Sequence, residues 1–409
     1  MSRRLRKDSR VLIYSHDTFG LGHLRRCRAI AHALVERYEG LSVLILSGSP
    51  IIGSFDFRMR VDFVRIPGVI KLRNGAYTSL GLHIDVTQTL AMRAAIIRHT
   101  AEAFRPDVFI VDKEPLGLGG EVEDTLGVLK QQGTRLVLGL RDILDEPKLL
   151  ASEWRRKRAV PALRDLYDEI WVYGLPEIYD PLAGIALPAG VREKITYMGY
   201  LPRDLPAQAD TQAFPELTER PYLLVTTGGG GDGEQLIEAV LGAYEHDQTL
   251  PYAALLVLGP FMAQDLRLRY RERAGKLEHV EAISFHNNME TLVARAVAVV
   301  AMGGYNTFCE VLSHDKRALI IPRTLPRLEQ HIRASRASEL GLVSMLAEDQ
   351  SMDPGAMSAA LRSLPQQKLP SSAIVPGLLD GSTNLARQIA PWLRGGKSAR
   401  SNNRRVAAL

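Results

Sequence analysis

The chain has 409 residues, 46% of them hydrophobic and 24% charged, and a formal net charge of +5 at pH 7. This excludes a disordered chain and allows two hydrophobic cores, so two domains are expected. The mild positive charge suits anionic ligands, but no basic stripe is interleaved with aromatics, which excludes nucleic acid as the expected partner.

The basic start, MSRRLRKDSR, precedes an apolar run (residues 11–14) far shorter than a signal-peptide core. No apolar stretch nears the ~20 residues that span a bilayer. Cys27 and Cys309 form no CxxC pair, so neither metal nor redox centre is expected, and the chain reads as cytoplasmic. Short apolar runs bounded by Gly, Pro and charge predict strands at 11–15, 43–46, 61–66, 108–111, 136–140 and 170–173. A second set follows at 222–226, 253–258, 280–284, 297–301, 318–321 and 343–346. Between them, Leu24, Cys27, Ala31 and Leu34 recur at helical steps, as do Leu236, Val240 and Tyr244. The alternation predicts an α/β protein of two Rossmann-like domains with parallel sheets. The proline-rich, aperiodic stretch around 200–221 reads as a linker. The expected division is an N-terminal domain at 9–200, a linker at 201–220 and a C-terminal domain at 221–378. A helix at 379–393 would pack back toward the N-terminal domain, and 394–409 would be a disordered basic tail.

Four segments carry candidate chemistry. Residues 15–23 (SHDTFGLGH) follow the first strand and open the first helix. Gly20 and Gly22 permit a sharp turn and close approach to a ligand, and in open parallel sheets ligands gather at such strand ends. His23 could there take a proton from a hydroxyl. The loop is not a dinucleotide fingerprint: it lacks a third glycine, and the second strand ends in Leu46-Ser47-Gly48 without an acid. Asp17, Asp112 and Glu114, also at strand ends, compete as the base; Asp112 and Glu114 equally suit ion pairs with Lys113 or Arg141. Residues 226–233 (TTGGGGDG) expose amides at Gly228, Gly229 and Gly230, ahead of a helix starting near Gln235, and can hold an anion. No Lys-Ser/Thr pair follows, so this is not a P-loop.

In residues 303–310 (GGYNTFCE), Asn306 or Thr307 can cap a helix whose free amides and dipole face an anion. Glu310, a turn further in, reaches ribose hydroxyls; Thr307 with Glu310 also reads as a plain capping box. Residues 322–330 (PRTLPRLEQ) end in Glu329 and Gln330, before a helix opened by His331. A carboxylate and a carboxamide can read sugar hydroxyls, or simply begin a solvated helix.

Together these segments resemble family 28 of the GT-B glycosyltransferases, which includes the N-acetylglucosaminyltransferase of peptidoglycan synthesis and the galactolipid synthases. The resemblance runs over residues 10–393 and is strongest at 284–341. The segment RPDVFIVDKEPLG, from Arg105, is similar to one in a set of bacterial predicted glycosyltransferases. It implies two domains facing a central cleft and a metal-independent, inverting enzyme without cofactor. A hexose or N-acetylhexosamine would move from a nucleotide-sugar, UDP-linked, to a hydroxyl acceptor in cell-envelope or exopolysaccharide synthesis. On this resemblance Phe285, Asn287 and Met289 hold the base, and Gly303, Gly304, Asn306 and Thr307 face the diphosphate. Glu310 takes the ribose, Glu329 and Gln330 the sugar, and Arg203 neutralises phosphate. His23, with Asp112, would serve as base beside an acceptor in the N-terminal domain.

Leu21 and Arg25-Arg26 depart from the peptidoglycan enzyme's loop, which weakens any claim to the same acceptor. A carbohydrate or lipid-linked acceptor is implied. Arg25, Arg26 and Arg28, with the basic run at 155–158, suggest peripheral contact with the inner face of the membrane. The loop GLGHLRRC also resembles the nucleotide-sugar hydrolases of pseudaminic-acid synthesis. A UDP-GlcNAc 2-epimerase and a non-catalytic nucleotide-sugar binder are the remaining alternatives.

Overall fold

Strands buried on both faces and amphipathic helices alternate along almost the whole chain, which is seen here as a computed structural model describing residues 9–17, 21–71, 77–205, 213–229 and 231–393. Gly20, Gly230 and the tail at 394–409 lie outside the described residues.

The first half supplies β1 (Ser9–Ser15), β2 (Leu41–Ser47), β3 (Val61–Arg65), β4 (Val69–Lys71), β5 (Tyr77–Ser79), β6 (Val108–Asp112), β7 (Arg135–Arg141), β8 (Glu169–Tyr173) and β9 (Ile195–Tyr197). Seven of them form one parallel sheet in the order β3-β2-β1-β6-β7-β8-β9, and β4 and β5 form an antiparallel ribbon. The second half supplies β10 (Tyr222–Thr226), β11 (Ala253–Val257), β12 (Val280–Ile283), β13 (Ala298–Ala301), β14 (Arg317–Ile320) and β15 (Ser344–Met345). These form a six-stranded parallel sheet, β12-β11-β10-β13-β14-β15. Every expected strand is present, with ends displaced by a residue or two. The ribbon β4–β5 and the edge strand β9 were not expected. They are three residues each and partly exposed, too short to show a period.

The register explains the apolar runs. Val11 pairs with Val43 and Val108, and Ile13 with Ile45 and Ile110. These face Cys27, Ile30 and Leu34 of the first helix, Gly22–Arg37, while Leu12, Tyr14, Phe109 and Val111 face Ile97 and Leu126 on the other side. Successive residues point to opposite faces and both faces are covered, so the runs at 11–14 and 108–111 have no charged position. Leu223 and Val225 pack likewise against Leu236, Val240 and Tyr244 of the Glu234–His246 helix.

Strand order fixes where a ligand can enter. In each sheet the connections run one way from the first strand and then reverse, between β1 and β6 and between β10 and β13. The crevices at the carboxyl ends of these pairs are the topological switch points where such sheets bind ligands. The last helix, Gly381–Leu393, lies against the first: Tyr38 Oη donates to the Ala386 carbonyl at 2.6 Å, and Trp392 stacks on Trp171 with ring centroids 6.0 Å apart.

Candidate active site between the domains

On the N-terminal side, His23 is the second residue of the first helix, at the β1–β6 switch point. Its Nδ1 lies 2.5 Å from Asp112 Oδ2, at the end of β6. The other Asp112 oxygen accepts from Arg26 Nε at 2.9 Å and Nη2 at 2.5 Å. Arg26, three residues after His23, lies on the same helix face. Burial alone would raise the Asp112 carboxyl, but Arg26 and His23 outweigh it and hold it well below the usual carboxylate range. Burial lowers the His23 imidazole to about 4, against the pull of Asp112. The ring is therefore neutral near pH 7. With Nδ1–H directed at Asp112, the lone pair is left on Nε2.

The competing bases are engaged elsewhere. Asp17, raised by burial to about 6, accepts the Leu24 amide at 3.1 Å and the Ser47 hydroxyl at 2.5 Å, so it fixes the start of the first helix. Glu114 pairs with Lys157 at 2.9 Å and Lys113 at 3.5 Å. Arg141 pairs instead with Glu329.

On the C-terminal side, Gly303 has φ of 81°, and a Cβ there would lie 2.7 Å from Ile320 Cγ2. Only glycine suits both conditions. The helix Tyr305–Ser313 begins after Gly304, which caps it without any side-chain hydrogen bond. This corrects the expected cap at Asn306 or Thr307 and the reciprocal capping box with Glu310. Both residues stand inside the first turn, and the Asn306 amide works across the domain interface. Its Nδ2 donates to the Gly22 carbonyl at 3.0 Å, and its Oδ1 accepts from Arg203 Nη2 at 2.7 Å. The first intrahelical bond runs from Phe308 N–H to the Gly304 carbonyl, which leaves the amides of Tyr305, Asn306 and Thr307 turned outward. That is an anion-facing helix start.

Glu310, 1% exposed, pairs with Arg25 of the first helix, whose Nη2 also meets Glu290 at 3.2 Å. Burial pushes the Glu310 carboxyl up, opposed by Arg25. Glu329 opens the Glu329–Glu339 helix two residues before the expected start at His331, and pairs with Arg141. Gln330 Oε1 accepts the Arg323 amide at 3.3 Å. In the loop at 285–289, Phe285 packs beside Leu21 and Ile52, and Asn287 precedes Asn288, whose Oδ1 caps the Met289–Arg295 helix by accepting from Thr291. Gly228 takes φ of 70° and donates to Thr226 Oγ1 at 3.2 Å; the Gly229 carbonyl accepts from Phe261.

His23, Asp112, Gly22, Asn306, Arg203 and Glu310 thus meet in one chain of contacts across the interface, whereas Gly228 and Gly229 bond only within their own domain. Sequence reasoning missed the charged residues that pair at the site, within the first domain and between the two. Arg25 and Arg26, expected on a basic surface, are consumed inside it, and Arg28 donates to the Asp56 carbonyl. Carboxylates far away in sequence draw the Arg25 and Arg26 guanidiniums in. Arg333 and Asp142, each 1% exposed, form a two-pronged pair at 2.7 Å. Arg333 also donates to the Gly303 carbonyl at 2.8 Å, and Tyr200 Oη donates to Asp142 at 2.8 Å. A local signal existed: Arg333 stands on a helical stripe with Gln330, Ala334 and Ala337, all buried.

Two facing Rossmann-like domains with a site between them define the GT-B fold of glycosyltransferases. The solved calicheamicin glycosyltransferase is similar over 96% of this chain and 99% of its own, with a TM-score of 0.57 at 15% identity. A solved UDP-N-acetylglucosamine 2-epimerase is similar over 95% of both chains, with a TM-score of 0.57 at 11% identity. Residues 223–371 match the glycosyltransferase family 28 C-terminal domain, so the second half of this GT-B-fold chain is similar to that family. The UDP-N-acetylglucosamine–N-acetylmuramyl-(pentapeptide) pyrophosphoryl-undecaprenol N-acetylglucosamine transferase of Alkaliphilus metalliredigens is 22% identical over 131 residues. That stretch is 32% of this chain and spans about a third (36%) of the relative's length.

Proposed function

We propose that the protein transfers a hexose or N-acetylhexosamine from a UDP-sugar to a hydroxyl acceptor, with inversion at the anomeric carbon. The observation that carries this reading is the hydrogen bond from Asn306 Nδ2 to the Gly22 carbonyl at 3.0 Å. It holds the helix start bearing the candidate base, His23, against the helix start suited to a diphosphate.

The acceptor oxygen attacks the anomeric carbon as its proton passes to His23 Nε2. The bond from that carbon to the diphosphate oxygen breaks, and its electron pair leaves on the diphosphate. Asp112 compensates the imidazolium that forms, as the acid of a catalytic triad does. The amides of residues 305–307 and Arg203 compensate the leaving diphosphate, so this scheme routes no step through a metal. Glu310 takes the ribose, residues 285–289 the base, and Glu329 with Gln330 the sugar. A lipid-linked acceptor is the finer reading. It rests on the undecaprenol in the name of the Alkaliphilus relative, and contact with the inner face of the membrane would follow from such an acceptor. Among the described residues no helix is long and apolar enough to cross a membrane.

The fold alone does not separate transfer from 2-epimerisation, since both kinds of solved structure share it. The family 28 match and the His23–Asp112 pair favour transfer. The test is a panel of UDP-sugars with purified protein, with and without acceptors. UDP release that requires an acceptor, and falls at least ~100-fold in His23→Ala while UDP affinity holds, is the expected result. Equal sugar release without acceptor would indicate a hydrolase, and a 2-epimer product an epimerase.

A further inference from the structure

Glu310, the residue read as the ribose ligand, already has a partner. The Arg25 guanidinium reaches it from the other domain and also meets Glu290 at 3.2 Å. We propose that Arg25 competes with the ribose for Glu310 and, when nucleotide enters, moves to the diphosphate, so that ribose and diphosphate are recognised as a single exchange. This rests on the reading of Glu310 as the ribose ligand.

Geometry makes the exchange short. Arg25 lies three residues beyond Gly22, and Glu310 four residues beyond Asn306; Gly22 and Asn306 are bonded at 3.0 Å. Along both helices, then, the ion pair stands one turn, ~5.4 Å, from the amides that face the anion. An arginine has enough rotatable bonds to cover that distance with its stem fixed.

Charge makes it favourable. One guanidinium serves two carboxylates, so hydroxyl donors arriving at Glu310 replace Arg25 there while Glu290 retains it nearby. The other side of the diphosphate position offers Arg203, whose Nη2 holds Asn306 and whose Nη1 is buried without a partner. A buried donor of this kind calls for an acceptor, and a diphosphate held between Arg203 and Arg25 supplies it. A crevice of about 70 Å³, lined by Arg25, Arg28, Arg203 and Glu290 among others, lies beside the side chain.

Uridine and UDP separate the two halves of the exchange. Uridine must displace Arg25 and offers it no new partner, whereas UDP offers the diphosphate. Titration calorimetry of both ligands is therefore done with the wild type, Arg25→Met, Arg25→Lys and Glu310→Ala. In Arg25→Met, uridine should bind more tightly and UDP more weakly, so the UDP-to-uridine affinity ratio falls at least ~10-fold. Arg25→Lys keeps the charge but not the fork, and should lower the ratio by at least ~3-fold. It decides the matter if circular dichroism shows Arg25→Met unfolded. An unchanged ratio in the folded variants makes Arg25 a simple tie between domains and overturns the proposal. If Glu310→Ala weakens UDP binding while the ratio stays fixed, only the role of Arg25 fails. If Glu310→Ala leaves UDP binding untouched, the ribose reading fails and the exchange with it.

Discussion

Replacing Asp112 with asparagine separates catalysis from architecture. Asp112 serves His23 through one oxygen and Arg26 through the other, and both Asp112 and Arg26 are 2% exposed. The Asn variant keeps the shape and one acceptor oxygen but removes the charge. The imidazolium formed in the transition state then has no counter-ion. The general-base contribution at stake is on the order of 10²–10⁴, and a 10³-fold loss corresponds to about 4 kcal/mol of barrier. Arg26 is meanwhile left as a buried cation without its carboxylate, at a cost of roughly 3–5 kcal/mol of stability. The donor contacts lie on the other domain apart from Arg25, which pairs with Glu310 and Glu290 and not with Asp112, so the Kd for UDP should stay within ~3-fold. The assay is single-turnover sugar transfer at saturating donor, with UDP titration calorimetry and urea denaturation on the same preparation. Turnover within a few-fold of wild type in a folded variant would refute the role given to the pair. So would a loss confined to UDP binding.

Four further outcomes follow from the same geometry. His23, lowered by burial to about 4, must be neutral to act as base, so kcat/KM should be flat above that value and fall about tenfold per pH unit below it. Asp112 raises the His23 value, so Asp112→Asn should move this acid limb to still lower pH, as a kcat/KM profile would report. Asp142→Ala leaves Arg333 buried and unpaired and should cost roughly 3–5 kcal/mol, whereas the double replacement Asp142→Leu/Arg333→Met should cost less than the sum of the singles by urea denaturation. Gly303→Ala must place a Cβ at φ of 81° and 2.7 Å from Ile320; it should weaken UDP at least ~10-fold by calorimetry, through displacement of the loop ahead of Gly304.

The central strands were legible because they bury both faces, and sequences such as VLIY at 11–14 and VFIV at 108–111 admit no polar interruption. The β4–β5 ribbon was not, since three partly exposed residues a side carry no periodicity. At the site, glycine marked the loop at 303–304 because a positive φ and the approach of Ile320 leave no room for another residue. Asn306 and Thr307 looked like helix caps because local sequence cannot show that Gly22 and Arg203 claim the Asn306 side chain. Arg25 and Arg26 looked like surface charge for the same reason. Glu310 lies 285 residues from Arg25 and Asp112 lies 86 from Arg26, so neither pairing leaves a trace in the helix's own pattern. What the sequence showed was the backbone and the glycines; what it hid was ion pairing between distant residues, within the first domain for Arg26 and Asp112 and between domains for Arg25 and Glu310.

The central claim is that a nucleoside diphosphate sits on the helix start at residues 304–307 with its ribose at Glu310. A crystal structure with UDP measures this directly. The account predicts phosphate oxygens within hydrogen-bonding distance of the amides of Tyr305, Asn306 and Thr307, the ribose hydroxyls on Glu310, and the base at residues 285–289. UDP bound at the Gly228–Gly229 loop, or a diphosphate with no contact to the Tyr305–Ser313 helix, would contradict it.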